Sequence, residues 1–483
     1  MYKGDEMLAQ PTNLTINNEA VQDGDQDSNQ NKTCNQSRND IKINTVTVVG
    51  ANGTMGRNVS AIFASFGNAR VYLVSRSMEK SIAAKDKAYL SVRAESVKEK
   101  MIPSDYEHLE ECIRESDLIF EACTEDWDVK KDVHSRISAV IAEDDVDGAN
   151  KIICSGTSGL PLTRLAELYP EKYRHQFMGM HFFNPPYQMT LCEMMPTVYT
   201  EADRSIFEAV KDYAKVILRR TVIEAKDSPA FLGNRIGFQF ICEAMHVAEK
   251  YKYSGGIDYI DSILGPFTGR SMAPLVTANF VGLDVCAAIM ENLYENTEDF
   301  SHDAYAIPKY MKQMLQKGRI GRKAGAGFYK TVIHDSGVKI HQVYDIEHDS
   351  YREQIRYTFP FAENMIASLR VGDYETAMRT LVTNQSMEAK LCCEFLIKYI
   401  IYSLSMAHEL GCGIRAADAA MAAGFHWCPP LALMEAFNTV TDFKQLCKER
   451  LDEDILRIIE EQKLFEHLEK SRYDYRKFLL AKR

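Results

Sequence analysis

The sequence has no apolar run long enough to cross a bilayer. Its longest, such as Leu396 to Leu404, are broken by lysine or tyrosine and fall short of the roughly 20 residues a span needs, so no membrane role is expected. It has no CxxC pair and no His or Cys run at metal-ligand spacing, although it holds 12 cysteines. Neither a zinc site nor a disulfide framework is read from it, and a reduced, cytoplasmic compartment fits that usage. The adjacent Cys392 and Cys393 read as core positions on a helix. Positive charge is not in excess either: 57 Lys and Arg against 68 Asp and Glu leave a formal charge of −11. That argues against a nucleic-acid partner, while a local basic groove for a phosphorylated ligand stays open. Residues 1–43, rich in Asn, Gln, Asp and Ser, lack a signal-peptide core and an arginine-rich amphipathic pattern, and read as a disordered polar tail.

What is present is an ordinary globular composition, 46% hydrophobic and 26% charged, on a chain of 483 residues, too long for one ordinary core. The tail gives way to a strand at Val46–Val49, a glycine turn, a helix of period 3.6 and a second strand at Val71–Val74. Further buried strands are expected at Leu118–Glu121 and Lys151–Cys154. Alternating short strands and helices over 44–225 predict an α/β domain of the Rossmann type, a doubly wound and mostly parallel sheet. From Phe231 to about Gln316 the periodicity is helical, predicting a substrate or dimerisation domain over 226–330 that closes on the turn "GRIGRKAGAGFYK". A polar stretch, 331–349, reads as a linker or hairpin, and 350–483 as a second helical domain. The segments beginning "AMHVAEKYKYSGGIDYID" and "SLSMAHELGCGIRAADAA" repeat one order: helix, glycine loop, Ile-x-x-x-Asp helix, aromatic, proline, apolar helix. A duplicated helical unit is the expectation.

A dinucleotide site needs glycines between the first strand and helix, so that the backbone turns tightly and meets the pyrophosphate at the helix N-terminus. Gly50, Gly53 and Gly56, with Met55 between the last two, supply that loop at G-x-x-G-x-x-G spacing in place of G-x-G-x-x-G. About 20 residues on, where an acid normally holds the ribose 2′-hydroxyl, stand Ser75 and Arg76. An arginine there favours a 2′-phosphate, or else points to solvent, so NAD and NADP are both open.

In "GMHFFNPPYQMTLCEMMP", His181 precedes an aromatic pair and a proline break, a poor setting for a packing histidine. Hydride removal from a secondary alcohol needs a base for the hydroxyl proton, and imidazole as a class titrates near neutrality. A carboxylate on the other ring nitrogen fixes its tautomer, a role for which Glu193 is the candidate; the alternative is a structural histidine and an edge glutamate.

These residues resemble the L-3-hydroxyacyl-CoA dehydrogenases of fatty-acid β-oxidation. The similarity covers about 44–330, through the glycine loop ending in Met-Gly, "EACTED", "SGTS", "HFFNPP" with its later glutamate, "DSPAFLGNR" and "GRKAGAGFY"; residues 350–483 look like the duplicated helical domain of some longer members. The resemblance implies that His181 is the catalytic base, paired with Glu193; that Ser158 touches substrate and histidine; and that Asn234 polarises the substrate oxygen. It further implies that Glu125 and Lys130 contact the cofactor, that the substrate is an acyl-CoA, and that the protein is a monomer or homodimer. Three departures stand out: the loop spacing, Ser75 in place of the ribose acid, and Gly156 where the family's S-N-T-S motif has asparagine. Two competing readings remain: a 3-hydroxyacid dehydrogenase acting on a free acid, a group that uses a lysine base, and a non-catalytic dinucleotide-binding protein.

Overall fold

The computed structural model describes residues 41–143, 146–334, 336–466 and 468–482. Residues 1–40, most of the expected polar tail, lie outside the described residues. Eight strands form the main sheet: β1 (Thr45–Val49), β2 (Arg70–Ser75), β3 (Met101–Asp105), β4 (Leu118–Glu121), β5 (Ile152–Ser155), β6 (Phe177–Phe182), β7 (Leu191–Met195) and β8 (Thr221–Glu224), in the order β3-β2-β1-β4-β5-β6-β7-β8. Val46, Val48 and Val49 of β1 are 0% exposed, as a strand covered on both faces requires. Every pairing is parallel except β6 with β7. That reversal follows from Pro185 and Pro186 after β6: proline has no N–H for a ladder, so the strand stops and the chain turns back.

Beyond β8 the chain is mostly helical. The helix Gly233–Lys250 buries nearly all of its first half, and the 23-residue helix Met387–Glu409 packs on it through Phe240, whose ring centroid lies 5.3 Å from Phe395 and 6.0 Å from Tyr399. Such aromatic pairs contribute about 0.5–1.5 kcal/mol each beyond their buried area. By length and composition Met387–Glu409 meets the requirement for a membrane span, but 78% of its apolar window is buried inside the protein, the setting of a core helix.

The echo seen in the sequence has a structural counterpart. In the first copy Asp261 accepts the backbone N–H groups of Leu275 (2.9 Å) and Val276 (3.0 Å) at the start of helix Pro274–Val281. In the second, Asp418 accepts the N–H of Leu431 (2.8 Å) at the start of helix Pro430–Asn438. Each aspartate satisfies donors that a helix leaves open at its N-terminus. The loops before these helices meet: Arg270 bridges Trp427 in antiparallel fashion, with its guanidinium carbon 3.6 Å from the Phe240 ring centroid and 4.8 Å from that of Trp427.

Two expectations need amending. Of the two readings of 331–349 the hairpin holds and the linker does not: β9 (Tyr329–Ile333) and β10 (Lys339–Asp345) pair antiparallel, and β11 (Ser350–Glu353) adds a third strand. Val343 and Tyr344 are fully buried, and Arg352 clamps Asp258 at 2.9 and 2.5 Å. Its polar composition hid the strands, since the two fully buried residues are adjacent and show no period-two pattern. The two helical segments, in turn, do not have separate cores: residues from Ile236 to Leu479 join one cluster.

Candidate active site

His181 and Glu193 occupy facing positions of the antiparallel pair β6–β7, so strand register alone sets them side by side. Nδ1 of His181 lies 2.8 Å from Glu193 Oε2. The other carboxylate oxygen accepts the N–H groups of Leu232 (3.2 Å) and Gly233 (2.8 Å), where the helix Gly233–Lys250 begins. Glu193 is 0% exposed on a strand flanked by β6 and β8, so it is no edge glutamate. A carboxylate only accepts, so Nδ1 carries the ring proton and Nε2 presents its lone pair. Nε2 faces Ser158 Oγ at 3.2 Å. The ring packs against Phe183 (4.7 Å) and Phe231 (5.6 Å).

Ser158 is held from behind. Its backbone N–H donates to Glu125 Oε1 (2.8 Å), which also accepts the Thr157 hydroxyl (2.5 Å). The Asp227 carboxylate accepts the N–H groups of Leu162 (3.0 Å) and Thr163 (2.9 Å), tying the segment before Asn234 to the segment after Ser158. Asn234, the second residue of its helix, is 8% exposed, and its amide makes no hydrogen bond with the described residues.

Sequence reasoning missed Glu121. At the end of β4 its carboxylate accepts Lys130 Nζ (2.8 and 3.0 Å), Ser155 Oγ (2.7 Å) and the N–H of Cys123 (2.5 Å), with His134 Nε2 3.4 Å away. Burial alone would raise this carboxyl, but the Lys130 ammonium and the His134 ring override it and hold it well below the usual carboxylate range. Burial would likewise lower Lys130, yet Glu121 and Glu125 keep it above the usual lysine value. Lys130 is 0% exposed, its ammonium between Glu121 and Glu125 (3.5 Å); of the predicted cofactor contacts it, Gly56 and Ser75 are buried. An acid closing the apolar run "LIFE" was the available signal.

The glycine loop divides sharply. Gly50 has φ +85°, and a Cβ there would stand 2.7 Å from Ala122 O; one at Gly56 would stand 2.5 Å from Gly50 O. Neither position admits a side chain. Gly53, the N-cap of helix Thr54–Ser65, has φ −68° and room for a methyl group, with the nearest atom 3.4 Å away. Met55 lies in the first turn of that helix, packed against the sheet's core. That turn carries no acid, and the close backbone approach left by the missing side chains suits a pyrophosphate. Ser75 ends β2 at 1% exposure and Arg76 is exposed. Gly156, where the family has asparagine, faces the Phe120 ring at 2.9 Å from a Cβ position, so the ring fills the space a side chain would need.

The second helical segment also reaches this neighbourhood. Phe425 lies 5.9 Å from Phe183, the ring backing His181, and fills the space above Gly237, where a Cβ would meet it at 2.3 Å. His426 Nε2 is 3.1 Å from the carbonyl oxygen of Gln188, in the turn between β6 and β7.

A family model described as the NAD binding domain of 3-hydroxyacyl-CoA dehydrogenase matches residues 45–228, and one described as the C-terminal domain matches 231–331. The chain belongs to the 3-hydroxyacyl-CoA dehydrogenase family. A 3-hydroxybutyryl-CoA dehydrogenase of Clostridioides difficile is 31% identical over 300 residues, 59% of this chain and 98% of that one. A probable 3-hydroxyacyl-CoA dehydrogenase of Bacillus subtilis is 31% identical over 359 residues, 74% of this chain; the match spans only 43% of that relative's length. Among solved structures, (S)-3-hydroxybutyryl-CoA dehydrogenase from Ralstonia eutropha is 30% identical with a TM-score of 0.50, covering 59% of this chain and 98% of that one. The 3-hydroxybutyryl-CoA dehydrogenase of Escherichia coli shares the fold, with a TM-score of 0.61 at 17% identity over 88% of this chain and 100% of that one. That coverage reaches well into the second helical segment of this dehydrogenase-family chain.

Proposed function

We propose that this family member interconverts (3S)-3-hydroxyacyl-CoA and 3-oxoacyl-CoA, with His181 as the general base and acid, and that it acts in acyl-CoA metabolism of the β-oxidation type within a cytoplasmic compartment. The observation that carries the reading is the oriented set Glu193–His181–Ser158, in which Nδ1 is held by the carboxylate and Nε2, beside the Ser158 hydroxyl, is placed to take a proton. The chemistry needs a nicotinamide dinucleotide, which when bound accepts or donates the hydride at the substrate's C3. Gly50, Gly53, Met55 and Gly56 would cradle its pyrophosphate, Ser75 and Arg76 would meet its adenosine ribose, and Glu125 would lie near its other end, with Lys130 supporting Glu125 from the interior.

His181 Nε2 takes the hydroxyl proton as the C3–O bond gains double-bond character. The imidazolium so formed is stabilised by Glu193, whose charge is already held by two backbone N–H groups at a helix start and needs no rearrangement. Ser158 and the free amide of Asn234 orient the oxygen and donate to it while it carries partial negative charge. In the reverse direction the same nitrogen returns the proton.

The test is oxidation of (3S)-3-hydroxybutyryl-CoA against free 3-hydroxybutyrate by the full chain, read as reduced nicotinamide absorbance with either dinucleotide. Turnover of the thioester at least a hundredfold above the free acid is expected. Equal or preferred turnover of the free acid would remove the acyl-CoA assignment, and turnover of neither would remove the enzyme.

A further inference from the structure

We propose that the dinucleotide this chain selects carries a 2′-phosphate, NADP(H) in preference to NAD(H), and that Ser75, Arg76 and the start of helix Met78–Val92 form the phosphate site. The proposal rests on the dinucleotide reading above and names the cofactor that reading leaves open.

Position comes first. The carbonyl of Val74 accepts the N–H groups of both Gly50 (2.9 Å) and Ala51 (3.1 Å), which fastens the end of β2 to the glycine turn. Ser75 and Arg76 follow at once, at the strand end over which the adenosine ribose lies in a doubly wound site. An acid in this place accepts a hydrogen bond from a 2′-hydroxyl and repels a 2′-phosphate. Here the residue is neutral, and Ser75 is buried with no hydrogen-bond partner for Oγ among the described residues. Neutral and closed off from solvent, Ser75 brings no charge to repel a phosphate, and the contacts fall to Arg76 and the helix start.

Charge points the same way. Arg76 is exposed at the end of β2 and forms no ion pair or hydrogen bond among the described residues, so its charge is open to a ligand. Its guanidinium fork matches two oxygens of one phosphate. The 15-residue helix Met78–Val92 starts two residues later, and its N-cap, Ser77, makes no side-chain cap hydrogen bond, so the first-turn N–H groups remain available to an anion. Two acids are near. Glu79 lies in that first turn and is exposed. Asp105, the β3 residue in register with Ser75, is engaged by His108 Nδ1 at 2.7 Å and by the N–H of Glu107 at 3.2 Å.

The experiment is direct binding of NADPH and NADH to the full chain without acyl substrate, by calorimetry or nicotinamide fluorescence, for the wild type, Arg76→Ala and Arg76→Glu. Arg76 is exposed, so both variants should fold, which thermal melting checks. The wild type is expected to bind NADPH at least tenfold tighter than NADH, Arg76→Ala to bring that ratio close to one, and Arg76→Glu to invert it. Tighter NADH binding by the wild type overturns the proposal and leaves the dehydrogenase reading standing. An NADPH advantage that survives both substitutions overturns the assigned site. If neither dinucleotide binds, the proposal and the reading it rests on fall together.

Discussion

Replacing Glu193 with glutamine keeps its shape and removes only the charge. Two backbone donors, the N–H groups of Leu232 and Gly233, converge on Oε1, so the amide oxygen stays there and the amide nitrogen takes the place of Oε2, 2.8 Å from His181 Nδ1. A donor now faces Nδ1, which must become an acceptor. The ring proton then moves to Nε2, the nitrogen that faces Ser158 and has to receive the substrate's proton. Wrong-tautomer variants of other base–carboxylate pairs lose on the order of 10⁴-fold in kcat, so Glu193→Gln should lose about 10³- to 10⁴-fold. At 1.36 kcal/mol per factor of ten, that is about 4–5.5 kcal/mol of barrier. Stability should fall by less, about 1–3 kcal/mol, because every polar atom keeps a partner. Initial rates of acetoacetyl-CoA reduction give kcat, and thermal unfolding gives stability. A variant that melts near the wild type and turns over within tenfold of it would refute the tautomer argument.

The buried Glu121–Lys130 pair gives a second expectation: Lys130→Met strands an unpaired carboxylate at 0% exposure and should cost about 3–5 kcal/mol in chemical denaturation, with the double variant Glu121→Gln/Lys130→Met costing less. Glu121 is held below its unfolded value, so it contributes stability above a pH of about 4.3 that is lost as pH falls toward its folded value. The wild type should therefore lose more stability than the double variant between pH 5 and 3. Gly53→Ala should melt close to the wild type, whereas Gly56→Ala, with its Cβ 2.5 Å from Gly50 O, should be destabilised and lose dinucleotide binding; equal melting temperatures for the two variants would contradict the packing described. Phe425→Ala opens a space between Gly237 and Phe183 and should lower stability by about 2–3 kcal/mol, less than a fully buried phenylalanine, along with turnover. A variant with wild-type melting and rate would show that the second helical segment does not support the site.

Local patterns carried far in this chain. Val46–Val49, Val71–Val74 and Leu118–Glu121 were legible as strands because parallel strands covered on both faces read as short unbroken apolar runs. His181 and Glu193 were legible as a pair through chemistry and resemblance, but the reason they meet, an antiparallel register across a proline turn, is a tertiary fact. The sheet at 329–353 was obscured because, among its described residues, only the adjacent Val343 and Tyr344 are fully buried. Glu121 escaped notice because the acid closing "LIFE" was the one local sign of it, and its partner Lys130, nine residues on, is brought to it by the fold. Nor does spacing reveal that Phe425, from the far end of the chain, packs beside Phe183.

His181 is the group proposed to move the proton. The most direct test is acetoacetyl-CoA reduction by His181→Gln beside the wild type, with the dissociation constant of the reduced cofactor measured on both. Turnover should fall by several orders of magnitude while cofactor affinity changes by no more than about threefold. Turnover within tenfold of wild type in a folded variant would contradict the assignment of His181 as the base.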